Sequence, residues 1–221
     1  VFSRKEWANI DPWHRIWVVG STQAGEEKMA LEIYQSLRHE HQELRLILVP
    51  RHPERFDAVA KLVETSGLNA RRRSAENANS GQDWSPDTVI LVDTIGELRH
   101  WWGVSQIATV GGSFTDRGGQ NMLEPAGYGS AVSFGPDTRN FKEIAKQLVH
   151  NDAAVRVADQ VELMQFVRRC LTNIPAAEAL GMHAQRLIQS HQGATNTTIE
   201  AIAAELAQGD DTRAEQTRQC A

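Results

Sequence analysis

The chain has 221 residues, 41% of them hydrophobic, and a formal charge of -5 at pH 7. This length suits one large α/β domain, and the acidic balance argues against nucleic acid as a partner, because phosphate binding needs a positive field. No apolar run is long enough to span a membrane and no signal-peptide core opens the chain, so we expect a soluble segment. The two cysteines, Cys170 and Cys220, have neither zinc-site nor disulfide-framework spacing.

Short apolar runs alternate with segments of helical periodicity along the chain. The runs typical of buried parallel strands are 15–20, 44–49, 88–92, 107–110 and 131–134. Helices are predicted over 29–37, from Pro53 towards Gly67, over 96–102, from Asn121, after Asn140 and from about 159 onward. We predict an N-terminal extension over 1–14, one domain over 15–207 and a frayed tail over 208–221. The basic run Arg71–Arg73 is interpreted as a solvated strand or loop.

This alternation predicts an α/β fold, a Rossmann-like parallel sheet flanked by helices on both faces. In such sheets, ligands bind at the carboxyl ends of the strands, in the loops that follow them. The loops of interest are therefore 20–25, 50–53, 93–97, 111–121 and 135–140.

The loop 111–121 is the most informative of these. Its two glycine pairs allow close backbone approach to a ligand, and a helix starting at Asn121 would offer free N–H groups to an anion. Glu124 could accept hydrogen bonds from ribose hydroxyls. Alternatively, Asn121 and Glu124 form a capping box that only stabilises the helix start.

The loops after the second and third strands carry further candidates. Arg51 is well placed for a phosphate, or for capping carbonyls at the sheet edge, and His52 is a weaker candidate. Thr94 and Glu97 have capping-box spacing, so they either cap the helix or contact a ligand, while Gly96 favours backbone contact with a ligand. The loop GSTQAGEE is neither GxGxxG nor a Walker A loop, and no motif supports metal catalysis.

Five motifs, in this order, resemble the transferases of 3-deoxy-D-manno-octulosonic acid (Kdo): GSTQAGEE, VPRHPERF, DTIGEL, GGSFTDRGGQNMLEPA and FGPDTRNF. The resemblance runs from about residue 15 to about residue 205. Gln23 and Gln120 stand where the family usually has His, and Ile95 stands where it has Met. The glutamines put any proton role at their positions in doubt, although they can still form hydrogen bonds.

The resemblance implies one half of a GT-B glycosyltransferase, in which two Rossmann-like domains face each other across a cleft. The C-terminal half binds the donor CMP-Kdo, without a cofactor or a metal. The residues that it implies for CMP binding are Pro50, Arg51, Ile95, Gly96, Glu97, Asn121, Met122, Leu123 and Glu124. Secondary candidates are Ser21, Ser113 and Arg117.

The activity implied is inverting transfer of Kdo from CMP-Kdo to lipid A or its precursor, at the cytoplasmic face of the bacterial inner membrane. The family's N-terminal domain supplies the acceptor surface, the membrane attachment and a glutamate general base. We therefore expect no catalytic residue in this chain and no turnover by it alone. Two alternatives stay open: a GT-B enzyme that uses a UDP-sugar, and a non-catalytic nucleotide-binding module.

Overall fold

The structure is a computed structural model that describes residues 10–75 and 84–190. The predicted tail over 208–221, the boundary at 207, residues 1–9 of the predicted extension and Cys220 lie outside the described residues.

Seven parallel strands form one sheet in the order β3-β4-β2-β1-β5-β6-β7. Their bounds are β1 Arg15–Thr22, β2 Leu44–Pro50, β3 Asn69–Arg72, β4 Thr88–Leu91, β5 Ile107–Val110, β6 Ala131–Phe134 and β7 Val155–Arg156. The first strand lies at the centre. On one side of it lie β2, β4 and the edge strand β3, so β4 is inserted between β2 and β3, and on the other side β5, β6 and β7 follow in chain order. The fold class predicted from the alternating pattern is confirmed.

Helices cover both faces of the sheet. Their bounds are α1 Glu26–Leu37, α2 Phe56–Thr65, α3 Leu98–Trp102, α4 Leu123–Gly127, α5 Lys142–His150 and α6 Gln160–Thr172, followed by α7 over 174–190. A single 3₁₀ turn, Pro53–Arg55, precedes α2. Among the described residues, no helix has the length and hydropathy needed to cross a membrane.

The central strand shows why two layers of helices form. Trp17 and Val19 belong to a hydrophobic cluster with α1, α2 and α6, whereas Ile16 and Val18 belong to a second cluster with α3, α4, α5 and α7. Successive side chains of a strand point to opposite faces, so an uninterrupted apolar run can serve two cores at once. This is the pattern by which the strand was recognised in the sequence.

Two strands lie outside the predicted apolar runs, and both are at the edges of the sheet. The sequence left the first of them open as a strand or a loop and did not indicate the second. The strand β3 contains part of the basic run 71–73, and β7 has only two residues. The interpretation of that run as solvated was wrong: Arg71 is only 4% exposed, and Arg72 Nε donates to Asp93 Oδ2 at 2.6 Å. The basic residues therefore belong to the sheet and to its ion pairs.

The helix α7 packs so closely on the chain before β6 that one position requires glycine. A Cβ atom at Gly181 would lie 2.0 Å from the carbonyl oxygen of Gly129, which is backbone and cannot rotate away. We expect Gly181→Ala to lower the free energy of unfolding by about 1–3 kcal/mol, as overpacking does. In an open helix the same change would stabilise by roughly 1 kcal/mol.

Urea unfolding measures this effect, and Gly103→Ala is the control. At Gly103 the nearest atom to an added Cβ, the carbonyl oxygen of His100, is 3.4 Å away, so alanine fits. Equal stability changes for the two variants would contradict the close packing of α7.

Candidate functional site

A cavity of about 100 Å³ lies at the carboxyl ends of β1, β2 and β4. Its lining residues are Ser21, Val49, Pro50, Arg51, Pro53, Phe56, Thr94, Ile95, Gly96 and Leu98. Five residues that the sequence singled out thus share one cavity, although they come from three separate loops. They meet because neighbouring parallel strands end at the same edge of the sheet.

Arg51 and Ile95 give this cavity its exposed rim. The backbone N–H of Arg51 donates to the carbonyl oxygen of Thr22 at 3.1 Å, which fixes the end of β2 against the loop after β1. The Arg51 side chain is exposed, and Ile95 is 81% exposed. An arginine with its backbone held and its guanidinium facing solvent can receive an anionic ligand.

Thr94 lines the same cavity, and its spacing in the sequence suited either a helix cap or contact with a ligand. It makes no capping bond, and its Oγ1 is buried without a hydrogen-bond partner among the described residues. A buried polar atom without a partner is costly unless something else satisfies it. Thr94 is therefore an additional candidate for contact with a ligand hydroxyl or phosphate oxygen.

Glu97 does not line the cavity. Its carboxylate accepts hydrogen bonds from Arg73, at 3.0 Å from Nε and 3.4 Å from Nη2, so the capping-box alternative for this residue is wrong. The ion pair holds the loop after β4 against the end of β3.

The segment 121–124 lies beyond the neighbouring strand, β5, and is also outside the lining of the cavity. Asn121 and Glu124 are exposed, and Asn121 Nδ2 donates to Glu124 Oε1 at 3.2 Å. Because Glu124 bonds to the side chain of Asn121 rather than to its backbone N–H, the capping-box alternative is wrong here too. The helix begins at Leu123, two residues later than predicted, and Met122 is completely buried in the core.

Of the secondary candidates, Ser113 forms its hydrogen bonds within the protein. It is completely buried, its Oγ donates to the carbonyl oxygen of Val110 at 2.6 Å, and it accepts the N–H of Gly135 at 2.7 Å. Its hydroxyl therefore connects the end of β5 with the residue that follows β6. Arg117 has an exposed side chain, and its carbonyl oxygen accepts Asn140 Nδ2 at 2.7 Å.

Glu26 holds the glycine-rich loop in place, a role that the sequence did not suggest. The residue is 2% exposed, and each oxygen of its carboxylate accepts two backbone N–H groups. Oε2 accepts the N–H groups of Gln23 and Gly112, both at 2.8 Å. Oε1 accepts those of Ser113, at 3.2 Å, and Phe114, at 3.0 Å. Burial raises the pKa of Glu26 above its ordinary value, although the N–H groups that it accepts oppose this shift.

These contacts change the interpretation of the loop 111–121. Three consecutive N–H groups, from residues 112 to 114, form a concave anion site of the kind called a nest. The carboxylate of Glu26 already fills it. The glycines therefore allow the loop to wrap around an internal anion rather than leaving these N–H groups free for a ligand.

The adjacent Glu27 is completely buried and joins two of the motifs. It accepts Arg55 Nη1 at 2.6 Å and Nη2 at 2.9 Å, and the hydroxyl of Thr22 at 2.6 Å. The pair connects the loop after β1 with the turn after β2, directly beside Arg51. Two carboxylates in the first turn of α1 were the available sequence signal, but acidic residues are common there because they favour the helix dipole.

Asp93 fixes the start of the loop 93–97. It accepts the N–H of Ser74 at 2.7 Å and its hydroxyl at 2.5 Å, in addition to Arg72. Burial raises the pKa of Asp93, but the hydrogen bonds from Ser74 and Arg72 outweigh it and hold the pKa below its ordinary value. Within residues 10–75 and 84–190, no three His, Cys, Asp or Glu side chains gather as metal ligands.

No family model matches the chain. It is 35% identical over 187 residues to the 3-deoxy-D-manno-octulosonic acid transferase of Bordetella pertussis, and 34% identical over 188 residues to that of Haemophilus influenzae. These matches cover 83% and 85% of the chain, which spans 43% of the length of each relative.

Solved structures are similar as well. The C-terminal CMP-Kdo binding domain of WaaA from Acinetobacter baumannii matches with a TM-score of 0.75 and 32% identity, over 85% of this chain and 94% of that domain. The glycosyltransferase WaaG, involved in lipopolysaccharide biosynthesis, matches with a TM-score of 0.56 and 16% identity, over 84% of this chain and 45% of that one. The latter likeness concerns the fold alone.

Proposed function

The chain belongs to the 3-deoxy-D-manno-octulosonic acid transferase family, as its C-terminal domain, and from this premise we propose that it binds the donor CMP-Kdo. The observation that carries the proposal is the structural similarity to a domain described as binding CMP-Kdo. The chain matches 94% of the length of that domain. The cavity at the carboxyl ends of β1, β2 and β4 supports it independently, because ligands of such sheets bind at that edge.

In this proposal the cavity receives one part of the donor. Its volume of about 100 Å³ is small beside the roughly 300–1,000 Å³ of pockets that enclose whole ligands. Arg51 contacts the phosphate of the donor. The backbone at Pro50, Ile95 and Gly96 contacts the rest of the donor portion that lies in the cavity. The side chains of Glu97, Asn121 and Glu124 and the backbone at Met122 and Leu123, which lie outside the lining, contribute from around it.

The whole protein then performs an inverting transfer in which CMP leaves and a hydroxyl of lipid A or its precursor attacks. Negative charge grows on the departing phosphate, and a positioned guanidinium such as that of Arg51 stabilises it. The general base, the acceptor surface and the attachment to the cytoplasmic face of the inner membrane belong to the part of the protein outside this chain. The chain alone binds the donor weakly and turns nothing over.

We predict that Arg51→Ala weakens CMP binding by about 1.5–3 kcal/mol, the scale of a hydrogen bond to a charged group. Isothermal titration calorimetry of the 221-residue chain with CMP measures it. Arg186→Ala removes an equally exposed arginine from α7 and serves as the control. Unchanged affinity after the first substitution would remove Arg51 from the site.

A ligand panel tests the identity of the donor. The chain should bind CMP more tightly than UDP, which differs in its base and in its number of phosphates. A preference for UDP would favour the alternative of a UDP-sugar enzyme. Binding of neither nucleotide at millimolar concentration would count against donor binding by this domain.

A further inference from the structure

A groove lies at the β7 edge of the sheet, away from the candidate site. It runs between α5 and β7 and encloses about 440 Å³. Four basic side chains line it: Lys142, Lys146 and His150 from α5, and Arg156 from β7. The remaining lining residues carry no charge, so no acidic side chain faces these cations within the groove.

The spacing on α5 gathers positive charge on one face of the helix. Lys142, Lys146 and His150 are separated by four residues each, which places them one above the other. Like charges at this spacing destabilise a helix by about 0.2–0.5 kcal/mol per pair. An anion beside Lys142 and Lys146 would therefore relieve the repulsion between their ammonium groups.

The described part of the protein supplies no such anion. Within residues 10–75 and 84–190, none of the four side chains takes part in an ion pair, although the chain has 28 Asp and Glu residues against 23 Lys and Arg residues. Arg156 is nevertheless oriented, because its Nη2 donates to the carbonyl oxygen of Pro136 at 3.0 Å. The guanidinium is thus held at one wall while the lysines line the other.

We propose that this groove is a binding site for a phosphate group. A guanidinium offers a planar fork that matches phosphate oxygens, and lysine ammonium groups supply further charge from the opposite side. Two sources carry this chemistry: a soluble phosphate ester, and the headgroup of an anionic phospholipid. The proposal does not depend on donor binding, because the groove shares no residue with the cavity at β1, β2 and β4.

The test compares two triple variants of the full chain with the same change in net charge. The groove variant is Lys142→Gln/Lys146→Gln/Arg156→Gln, and the control is Lys28→Gln/Lys61→Gln/Arg186→Gln, which alters exposed cations elsewhere. One arm titrates inorganic phosphate and follows backbone NMR signals. The other measures co-sedimentation with phosphatidylcholine vesicles with and without phosphatidylglycerol.

We expect the wild type and the control to bind in at least one arm, and the groove variant to bind about tenfold more weakly or not at all. Vesicle binding without binding of inorganic phosphate identifies a headgroup as the source, and the reverse identifies a soluble ester. Equal losses in both variants, or no binding by the wild type in either arm, would overturn the proposal. The groove variant should keep its thermal stability and its affinity for CMP, which separates this result from a failure of donor binding.

Discussion

Replacing Glu26 by alanine is expected to lower the free energy of unfolding by about 3 kcal/mol or more. The substitution removes the acceptor of four backbone N–H groups in a buried environment. Each donor left unsatisfied costs about 1–3 kcal/mol, and water entering the space recovers only part of this. Urea unfolding followed by circular dichroism measures the change.

Two further variants define the cause. Glu32→Ala lies on the same helix, where the side chain is exposed and pairs with Lys28 at 3.8 Å, and should change stability by no more than about 0.5 kcal/mol. Glu26→Gln keeps the size but turns two acceptor positions into donors that face N–H groups, so it should remain clearly destabilised. A glutamine variant as stable as the wild type would show that the carboxylate charge is not required.

Removing Arg55 should have the second large effect, because it leaves the completely buried carboxylate of Glu27 without its counter-charge. We expect Arg55→Ala to lower the free energy of unfolding by about 3–5 kcal/mol, the usual cost of breaking a buried pair from one side. Binding of CMP should weaken as well, since the pair fixes the turn that follows Arg51.

A double variant separates the loss of the Glu27–Arg55 ion pair from the other effects of removing Arg55 on stability. Glu27→Gln/Arg55→Ala should be more stable than Arg55→Ala alone, because a neutral amide needs no counter-charge. Lys28→Ala, which affects only an exposed pair, should stay within about 0.5 kcal/mol of the wild type. If Arg55→Ala were no worse than Lys28→Ala, the buried pair would have no structural importance.

The sheet was largely predictable because its central strands are apolar on both faces. The runs 107–110 and 131–134 coincide with β5 and β6, and the run 44–49 differs from β2 by one residue. The edge strand β3 could not be distinguished from a loop in the sequence, because NARR carries no hydrophobic pattern. Contacts with neighbouring segments stabilise this strand. It pairs with β4 over four residues, and Asp93 accepts a hydrogen bond from Arg72.

The position of the cavity was predictable, whereas the contacts that shape its surroundings were not. The loops after β1, β2 and β4 could be identified because each follows an apolar run. The partners of Glu26 and Glu97 could not, because Gly112 and Arg73 are distant in sequence and the local spacing equally suits a helix cap. Hydrogen bonds between residues distant in sequence depend on how the elements pack, and a short sequence motif does not indicate this.

The central position of β1 has a consequence for phosphate recognition. In open α/β sheets, the crevice where the strand order reverses, here between β1 and β5, is where phosphates usually settle. Glu26 occupies the backbone N–H groups of residues 112–114 beside that crevice, so these groups are not available to an incoming phosphate. Under the proposed function, the donor phosphate binds at Arg51 instead, and a single guanidinium suits a nucleotide with one phosphate better than one with two.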